Sequence, residues 1–255
     1  MDWNSAQYLK FDRERTQPAI DLVNRITVDR PKKIIDIGCG PGNSTQVLHN
    51  RFPDSYILGV DISENMISAA KERCPGLDFK VCDVSKDLSD LDTDYDIVFS
   101  NACLQWVPEH RRLLKNLLDL LNKNGVLAVQ IPMNYNEPIH RIIVELAASE
   151  KWKEYFPYPR VFHTLSQSEY FDLLSEISGE FSMWDTVYYH VMKSHNEILE
   201  WYRGTGLRPY LACLSDDKKA EFEDDVMEKL IQQYPRQKNG SIIFRFPRFF
   251  FIAHP

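Results

Sequence analysis

The chain has 255 residues, of which 44% are hydrophobic and 26% charged, and its formal net charge at pH 7 is −7. This composition supports a large hydrophobic core, and the acidic balance excludes a global positive field that would attract nucleic acid. The five cysteines form no C-x-x-C pair and no zinc-like cluster with histidines, so neither a disulfide framework nor a metal site is expected.

The first residues, M-D-W-N-S-A-Q-Y-L-K, lack the basic region and the apolar run of a signal peptide. The chain has no run of about 18 apolar residues, which predicts that it contains no membrane span. We therefore expect a cytoplasmic protein with neither a membrane nor a nucleic-acid partner, present as a monomer or weak oligomer.

The first half of the chain alternates short apolar strands with amphipathic helices. Helices are predicted over 15–27, 46–51 with capping by Asn43, Ser44 and Thr45, 63–73 with Ser63 as cap, and 108–122. Strands are predicted over 34–37, 56–61, 77–82, 95–100 and 126–131, the last after a stop at Asn124-Gly125. This alternation is typical of a parallel sheet with helices on both faces.

The second half has a different pattern. Residues 137–165 are rich in aromatic side chains and read as irregular, followed by a helix over 167–177 and a strand over 181–191. Residues 194–235 are predicted to be helical, and 242–252 form a closing strand. We expect one domain with a core of about 30–132, 166–191 and 241–255, and a helical cap of 133–165 and 192–240 over the carboxyl ends of the strands.

A glycine turn follows the first predicted strand, in the pattern Asp36-x-Gly38-x-Gly40-x-Gly42. Glycines allow the backbone to approach a ligand closely, and in open α/β sheets ligands bind at the carboxyl ends of strands. A dinucleotide fold requires G-x-G-x-x-G, but Asn43 stands at its third position, and the G-K-[ST] of a phosphate-binding loop is missing. The turn predicts a cofactor site that lacks pyrophosphate recognition.

Three aspartates each lie in or directly after one of three consecutive strands: Asp36, Asp61 and Asp83. A single aspartate at a strand end is more often a turn former or a helix cap. Three of them beside a glycine turn favour a nucleoside, because Asp61 could accept from two ribose hydroxyls and Asp83 from an adenine amino group. A site built on carboxylates suits a sulfonium nucleoside better than a dinucleotide.

The motifs D-I-G-C-G-P-G-N-S-T, G-V-D-I-S-E-N-M-I, C-D-V and D-I-V-F-S-N-A-C-L-Q-W-V resemble those of class I S-adenosylmethionine-dependent methyltransferases. More narrowly, the chain resembles the trans-aconitate 2-methyltransferase family, through W-N-S-A-Q-Y-L-K-F near the start and W-Y-R-G-T-G-L-R-P and F-R-F-P-R-F-F-F-I-A later. The resemblance implies a Rossmann-like, mostly parallel seven-stranded sheet with an antiparallel last strand. It also implies S-adenosyl-L-methionine as cofactor and S-adenosyl-L-homocysteine as product.

The resemblance further implies which residues hold the cofactor. Residues at the glycine turn and the end of the fourth strand would face its methionine part, those after the second and third strands its ribose and adenine, and two N-terminal residues its carboxylate. The expected set is Tyr8, Arg15, Asp36, Gly38, Gly40, Asn43, Asp61, Ile62, Met66, Asp83, Val84, Asn101, Ala102 and Gln105.

An acidic substrate requires local positive charge, and arginine is the side chain that binds carboxylates through two hydrogen bonds. The run from Arg203 to Arg208 is rich in donors, although it also fits a simple helix end with Gly204 as terminator. Alternation places Tyr188 and His190 on one face of a strand, and Trp106 is either a site residue or core packing. The expected substrate residues are Trp106, Tyr188, His190, Arg203, Thr205, Arg208 and Arg245, with Arg248 as a further candidate.

The predicted reaction is O-methylation of a small polycarboxylic acid, with trans-aconitate as the leading candidate. A carboxylate is ionised at neutral pH, so no residue is expected to be essential as an acid or base. Two alternatives stay open: a methyltransferase for an amine or a phenol, and a protein that binds the cofactor without catalysis. A nicotinamide oxidoreductase is disfavoured by Asn43 at the third glycine position.

Overall fold

The computed structural model describes residues 11–86, 88–157 and 162–255. The strands are β1 Lys33–Ile37, β2 Tyr56–Asp61, β3 Asp78–Val81, β4 Tyr95–Asn101, β5 Leu121–Pro132, β6 Glu180–Met192 and β7 Ile242–His254. The α-helices are α1 Asp12–Val23, α2 Asn43–Arg51, α3 Glu64–Arg73, α4 His110–Leu118, α5 Pro138–Ala147, α6 Gln167–Ile177, α7 His195–Arg203, α8 Arg208–Leu211 and α9 Asp216–Gln233. Two 3-10 turns cover Leu104–Trp106 and Lys153–Tyr155.

The strands form one seven-stranded sheet in the order β3-β2-β1-β4-β5-β7-β6. The first five strands pair in parallel, and β7 pairs antiparallel with β5. The central strands are apolar because both faces are covered, as the buried Ile34 and Ile35 of β1 illustrate. The predicted Rossmann-like fold with an antiparallel last strand is confirmed.

The chain divides into two compact units. The first unit comprises the described parts of 1–132, 162–186 and 248–255, and it contains the glycine turn and β1 to β5. The second unit comprises the described parts of 133–161 and 187–247. Its core is aromatic: Trp152 packs edge-on against Phe222 at 5.0 Å between ring centroids, and Trp201 packs against Phe244 at 5.7 Å.

The prediction of irregular structure over 137–165 was wrong for its first third, because α5 occupies Pro138–Ala147. Its apolar residues Ile139, Ile142, Ile143 and Leu146 recur at helical spacing and are buried. Pro138 stands in the first turn, where a missing N–H costs no hydrogen bond. The helical period was present in the sequence, but the aromatic residues that follow it obscured it.

The predicted boundary between the fourth helix and the fifth strand was also wrong. Helix α4 ends at Leu118 and β5 begins at Leu121, so Asn124 and Gly125 lie inside the strand. The register between β4 and β5 shifts between Tyr95 and Ile97. A Cβ at Gly125 would lie 2.7 Å from the carbonyl oxygen of Tyr95, so glycine marks a close approach of strands at an irregularity.

The predicted helical stretch over 194–235 is three helices, α7, α8 and α9, in the structure. Within the ranges described above, no helix is both long enough and apolar enough to cross a bilayer. The same ranges contain no group of three or more His, Cys, Asp or Glu side chains arranged to hold a metal ion.

Candidate functional site

The glycine turn joins β1 to α2, and Gly38, Gly40 and Gly42 all have positive φ, at 71°, 54° and 88°. A Cβ at Gly38 would lie 2.2 Å from Sγ of Cys103, so this glycine permits close packing against the segment that follows β4. A Cβ at Gly40 would meet no atom within 4 Å. The turn therefore presents open space at Gly40, as a backbone that cradles a ligand requires.

Asp36 is fully buried in β1, directly before the turn. Its Oδ2 accepts hydrogen bonds from the hydroxyls of Ser44 and Thr45, each at 2.7 Å. Its Oδ1 is buried and accepts no hydrogen bond from the described residues. Burial raises the pKa of Asp36 to about 6, although the two hydroxyls oppose the shift. A buried carboxylate with a vacant acceptor suits the ammonium group of a methionine moiety.

The expected capping of α2 by Asn43, Ser44 and Thr45 was wrong. Gly42 occupies the N-cap position in the left-handed conformation, and no side chain caps the helix. The Ser44 and Thr45 hydroxyls donate to Asp36 instead, because a buried carboxylate costs more free energy to leave unsolvated than a helix end does. The amide of Asn43 is held at both ends, donating to Oγ1 of Thr16 at 3.2 Å and accepting from Nη1 of Arg73 at 3.2 Å.

Asp61 ends β2 and ties that strand to the glycine turn. Its Oδ2 accepts the backbone N–H of Gly40 at 3.0 Å, and its Oδ1 accepts that of Ser63 at 2.9 Å. Burial raises the pKa of Asp61 despite these bonds. Ser63 caps α3 as predicted, since its hydroxyl accepts the N–H of Met66. Each carboxylate oxygen keeps a further lone pair that a ribose hydroxyl can use.

The neighbouring candidates differ in exposure. Ile62 is 61% exposed, whereas Met66 and Val84 are buried. Asp83 is already engaged within its own loop, because Oδ1 accepts from the hydroxyl of Ser85 at 2.6 Å and from its N–H at 3.1 Å. These hydrogen bonds lower the pKa of Asp83. An adenine amino group would share this carboxylate with Ser85.

The end of β4 places two more acceptors beside β1. Asn101 Oδ1 and Gln105 Oε1 are both buried and find no hydrogen-bond partner in the described part of the chain. Gln105 donates through Nε2 to the carbonyl of Ala102 at 2.7 Å. Ala102 has a φ of 55° and donates its N–H to the carbonyl of Gln130 at 3.0 Å. Adjacent strand ends thus carry three buried acceptors, counting Asp36.

The 3-10 turn that carries Gln105 and Trp106 is held by residues that sequence reasoning missed. His110 lies 3.0 Å through Nε2 from the carbonyl of Leu104. The backbone N–H of His163 donates to the carbonyl of Gln105 at 3.2 Å, and Trp106 packs against Phe162 at 5.0 Å. His110 is a single histidine at the start of an amphipathic helix, and no sequence pattern indicates its contact with Leu104.

The second unit contains the remaining expected substrate residues. Tyr188 and His190 share one face of β6, as alternation predicts, with ring centroids 6.4 Å apart and planes within 7°. His190 packs against Trp201 at 4.8 Å. Tyr189, which alternation places on the other face, is 64% exposed.

Two of the late arginines, Arg203 and Arg245, are engaged by carboxylates of their own unit. Arg203 donates through Nε and Nη2 to the two oxygens of Glu223, each at 2.6 Å, and it also pairs with Glu200. Arg245 pairs with the buried Glu137. A role for these two arginines in binding an acid would require it to share them with protein carboxylates.

Around Arg203, the chain has the form of a helix end. Gly204 terminates α7 in a right-handed conformation, Thr205 donates its hydroxyl to the carbonyl of Trp201 at 3.3 Å, and Arg208 begins α8.

Among the expected cofactor residues, Arg15 is buried in α1. Tyr8 lies outside the described residues.

The chain is similar to known methyltransferases over its whole length. A family model described as "Methyltransferase domain" matches residues 34–125. The trans-aconitate 2-methyltransferase of Escherichia coli O139:H28 (strain E24377A / ETEC) is 40% identical over 252 residues, covering 99% of this chain and 98% of the relative. The trans-aconitate 2-methyltransferase of Enterobacter sp. (strain 638) is 41% identical over 254 residues, with the same coverage.

Two solved structures share the fold at lower identity. A TehB-like SAM-dependent methyltransferase from Corynebacterium glutamicum superposes with a TM-score of 0.52 at 14% identity, covering 98% of each chain. Phosphoethanolamine N-methyltransferase 2 of Haemonchus contortus, in complex with S-adenosyl-L-methionine, gives 0.54 at 18% identity and covers 94% of this chain and 52% of that one. The glycine turn, the strand-end carboxylates and the full-length relatives agree, and the chain belongs to the trans-aconitate 2-methyltransferase family of S-adenosylmethionine-dependent methyltransferases.

Proposed function

We propose that the protein transfers a methyl group from S-adenosyl-L-methionine to one carboxylate of trans-aconitate, producing a monomethyl ester and S-adenosyl-L-homocysteine. The observation that carries this proposal is the 40–41% identity, over nearly the whole of both chains, to relatives named for that reaction. Similarity confined to the cofactor motifs would support only the enzyme class.

The cofactor supplies an electrophilic methyl group on a positively charged sulfur. In our proposal Asp61 accepts from the ribose hydroxyls, and the loop with Asp83 and Val84 lies at the adenine. Asp36 and Asn101 accept from the ammonium of the methionine part, since both keep a buried acceptor atom. Arg15 and Tyr8 bind its carboxylate. The remaining proposed contacts are those of Gly38, Gly40, Asn43, Ile62, Met66, Ala102 and Gln105.

The chemistry requires alignment more than acid–base help. The acceptor carboxylate is ionised at neutral pH, with an ordinary pKa near 4. The protein must hold its oxygen in line with the methyl group, exclude water and neutralise the other carboxylates. The proposed acid-binding arginines are Arg203, Arg208 and Arg245, of which Arg203 and Arg245 also pair with glutamates. Trp106, Tyr188, His190 and Thr205 complete the proposed set.

A methyl-transfer assay tests the proposal directly. Purified protein is incubated with S-adenosyl-L-methionine and trans-aconitate, and both products are quantified by mass spectrometry. We expect ester and S-adenosyl-L-homocysteine in equal amounts, and no turnover by Asp61→Ala. Turnover of an amine or a phenol in place of the acid would reject the proposed substrate. Cofactor binding without turnover of any acceptor would favour a non-catalytic protein.

We further propose a cytoplasmic setting and a monomer or weak oligomer. The five cysteines, all within the described residues, are free thiols, which suits a reducing compartment. Light scattering of the purified protein, with and without S-adenosyl-L-homocysteine, measures the oligomeric state.

A further inference from the structure

Polar side chains form a row across one face of the central sheet. Asn101 of β4 is the register partner of Gln130 in β5, and Gln130 is the partner of Phe250 in β7. Arg248 lies two residues before Phe250 on the same strand. Because register partners share a face and side chains alternate along a strand, Asn101, Gln130 and Arg248 point to the same side of the sheet.

Asp36 extends this row on β1. Its register partner is Phe99, two residues before Asn101, so its carboxyl group is on the same face. The row therefore runs from an acidic side chain on β1, through two amides, to a guanidinium on β7. The acidic end suits a cation and the basic end an anion.

Gln130 is the anomaly in this row. It is fully buried between the apolar residues Val129 and Ile131, which are also fully buried. Its Oε1 accepts a hydrogen bond from Nη1 of Arg248 at 3.4 Å. Its Nε2 is buried and donates to no acceptor among the described residues. An amide group in such a place costs free energy unless a further acceptor satisfies it.

Arg248 fixes the direction of the amide. A guanidinium only donates, so the oxygen of Gln130 must face Arg248 and its NH2 group must face elsewhere. Arg248 is only 5% exposed and keeps its charge at every physiological pH. The pair combines amide N–H donors with a buried cation, and this set is complementary to a carboxylate.

The sheet order separates this pair from the cofactor turn. Gln130 stands on β5, two strands from β1 and on the far side of β4, which is a distance of about 10 Å at the usual strand spacing. Asp36 and the glycine turn belong to β1. We propose that Gln130 and Arg248 bind a carboxylate of the acceptor acid, an inference that rests on the proposed function.

The test is Gln130→Leu, which removes both the carbonyl oxygen and the NH2 group of the amide and keeps the side-chain volume close to that of glutamine. We expect the KM for trans-aconitate to rise about tenfold or more, the loss typical of a hydrogen bond to a charged group. The Kd for S-adenosyl-L-homocysteine, measured by calorimetry, is expected to stay within error, whereas the Tm should fall modestly because the buried Arg248 loses one acceptor. Gln232→Leu, an identical change at an exposed position of α9, is the control.

Three outcomes are decisive. An unchanged KM would overturn the inference. A weakened Kd for S-adenosyl-L-homocysteine with an unchanged KM would assign the pair to the cofactor carboxylate and would also overturn it. A raised KM with unchanged cofactor affinity supports it, and Arg248→Met should then act on the same parameter, less than additively with Gln130→Leu.

Direct binding separates this inference from the proposed function. Calorimetry with trans-aconitate in the presence of S-adenosyl-L-homocysteine needs no turnover. If the unaltered protein binds the acid and Gln130→Leu does not, the carboxylate site stands even when no ester forms. If the unaltered protein binds no polycarboxylic acid, both proposals fall.

Discussion

The hydroxyl of Tyr170 lies 2.6 Å from Nδ1 of His110, and both side chains are buried. The other ring nitrogen of His110 lies 3.0 Å from the carbonyl of Leu104, which can only accept. Nε2 therefore carries a proton. Because burial lowers the pKa of His110, the ring is neutral at pH 7, and the tyrosine hydroxyl donates to Nδ1. The pair links α4 and α6 to the turn that carries Gln105 and Trp106.

Replacing His110 tests whether this link positions the turn. We expect His110→Ala to lower the free energy of unfolding by about 1–3 kcal/mol, because two buried polar groups lose a partner. It should also raise the KM for the acceptor acid. His110→Gln should recover part of both losses, since its amide can donate to the carbonyl of Leu104. Equal defects in the two variants, by urea unfolding and steady-state kinetics, would contradict the positioning role.

The pH dependence of the free energy of unfolding tests the protonation state of His110 independently. Burial lowers its pKa below the ordinary 6.5, so just below pH 6.5 the imidazole is more protonated in the unfolded chain than in the folded protein. This contribution to stability is complete above pH 6.5 and is lost as the pH falls below it. The charge of His163 also lowers the pKa of His110. We expect the urea midpoint of His110→Gln to fall less than that of the unaltered protein between about pH 7.5 and 5.5.

If Asp36 accepts from the ligand ammonium as proposed, cofactor affinity should depend on pH. Its pKa of about 6 in the fold, against 3.8 as an ordinary aspartate, means that protonation below pH 6 removes the negative charge that would attract the ligand ammonium. We expect the affinity for S-adenosyl-L-homocysteine to fall as the pH drops below 6, approaching tenfold per unit. Asp36→Asn should bind weakly at every pH between about 5 and 8. A parallel decline in both proteins, measured by calorimetry, would assign the titration to another group.

The raised pKa of Asp36 also predicts that ionisation, which favours cofactor binding, lowers the stability of the fold. A carboxyl group whose folded pKa is raised favours the fold when protonated and opposes it once ionised, so stability is lost as the pH rises from 3.8 toward 6. Asp36→Asn removes the buried charge and should raise the free energy of unfolding at neutral pH, by at most about 3 kcal/mol. Ser44→Ala, which removes a hydrogen bond to Asp36, is the control that should destabilise.

Variants of Arg203 distinguish a structural role of this side chain from a role in binding the acid. Its partners Glu223 and Glu200 have side chains only 17% and 19% exposed, so Arg203→Met should destabilise the protein by about 1–3 kcal/mol. The double variant Arg203→Met/Glu223→Met removes the carboxylate that Arg203 binds through two hydrogen bonds, while Glu200 remains, and should regain part of that loss. A KM defect that persists in the stable double variant would show that the acid uses Arg203. A KM that recovers with stability would show that it does not.

Two glycines of the turn are expected to fail in different ways when replaced by alanine. Gly38→Ala places a Cβ 2.2 Å from Sγ of Cys103 and should destabilise the fold. Gly40→Ala meets no atom within 4 Å, so it should fold with a loss of about 1–2 kcal/mol for its left-handed backbone. It should nevertheless lose cofactor affinity. The new Cβ would also lie 2.3 Å from Cβ of Cys103, so Cys103→Gly in the Gly38→Ala background, which removes both atoms, should restore part of the Tm. Normal cofactor binding by Gly40→Ala would contradict the proposed cradle.

The sequence by itself determined the sheet class, the glycine turn and the three strand-end aspartates. These features depend on local rules: the period of apolar residues, the turn chemistry of glycine, and the common edge at which parallel strands end. The errors fell where two local signals competed, as at α5, where aromatic residues obscured a helical repeat, and at Gly125, where a glycine marked a strand irregularity instead of a stop.

Only the tertiary structure decided which polar side chains meet. Arg248 and Gln130 are 118 residues apart in sequence, and Tyr170 and His110 are 60 apart. In the structure, Arg203 donates to Glu223, and Ser44 and Thr45 donate to Asp36 instead of capping a helix. A residue type states what a side chain can bond, but its partner follows from strand order and register, which no local pattern encodes.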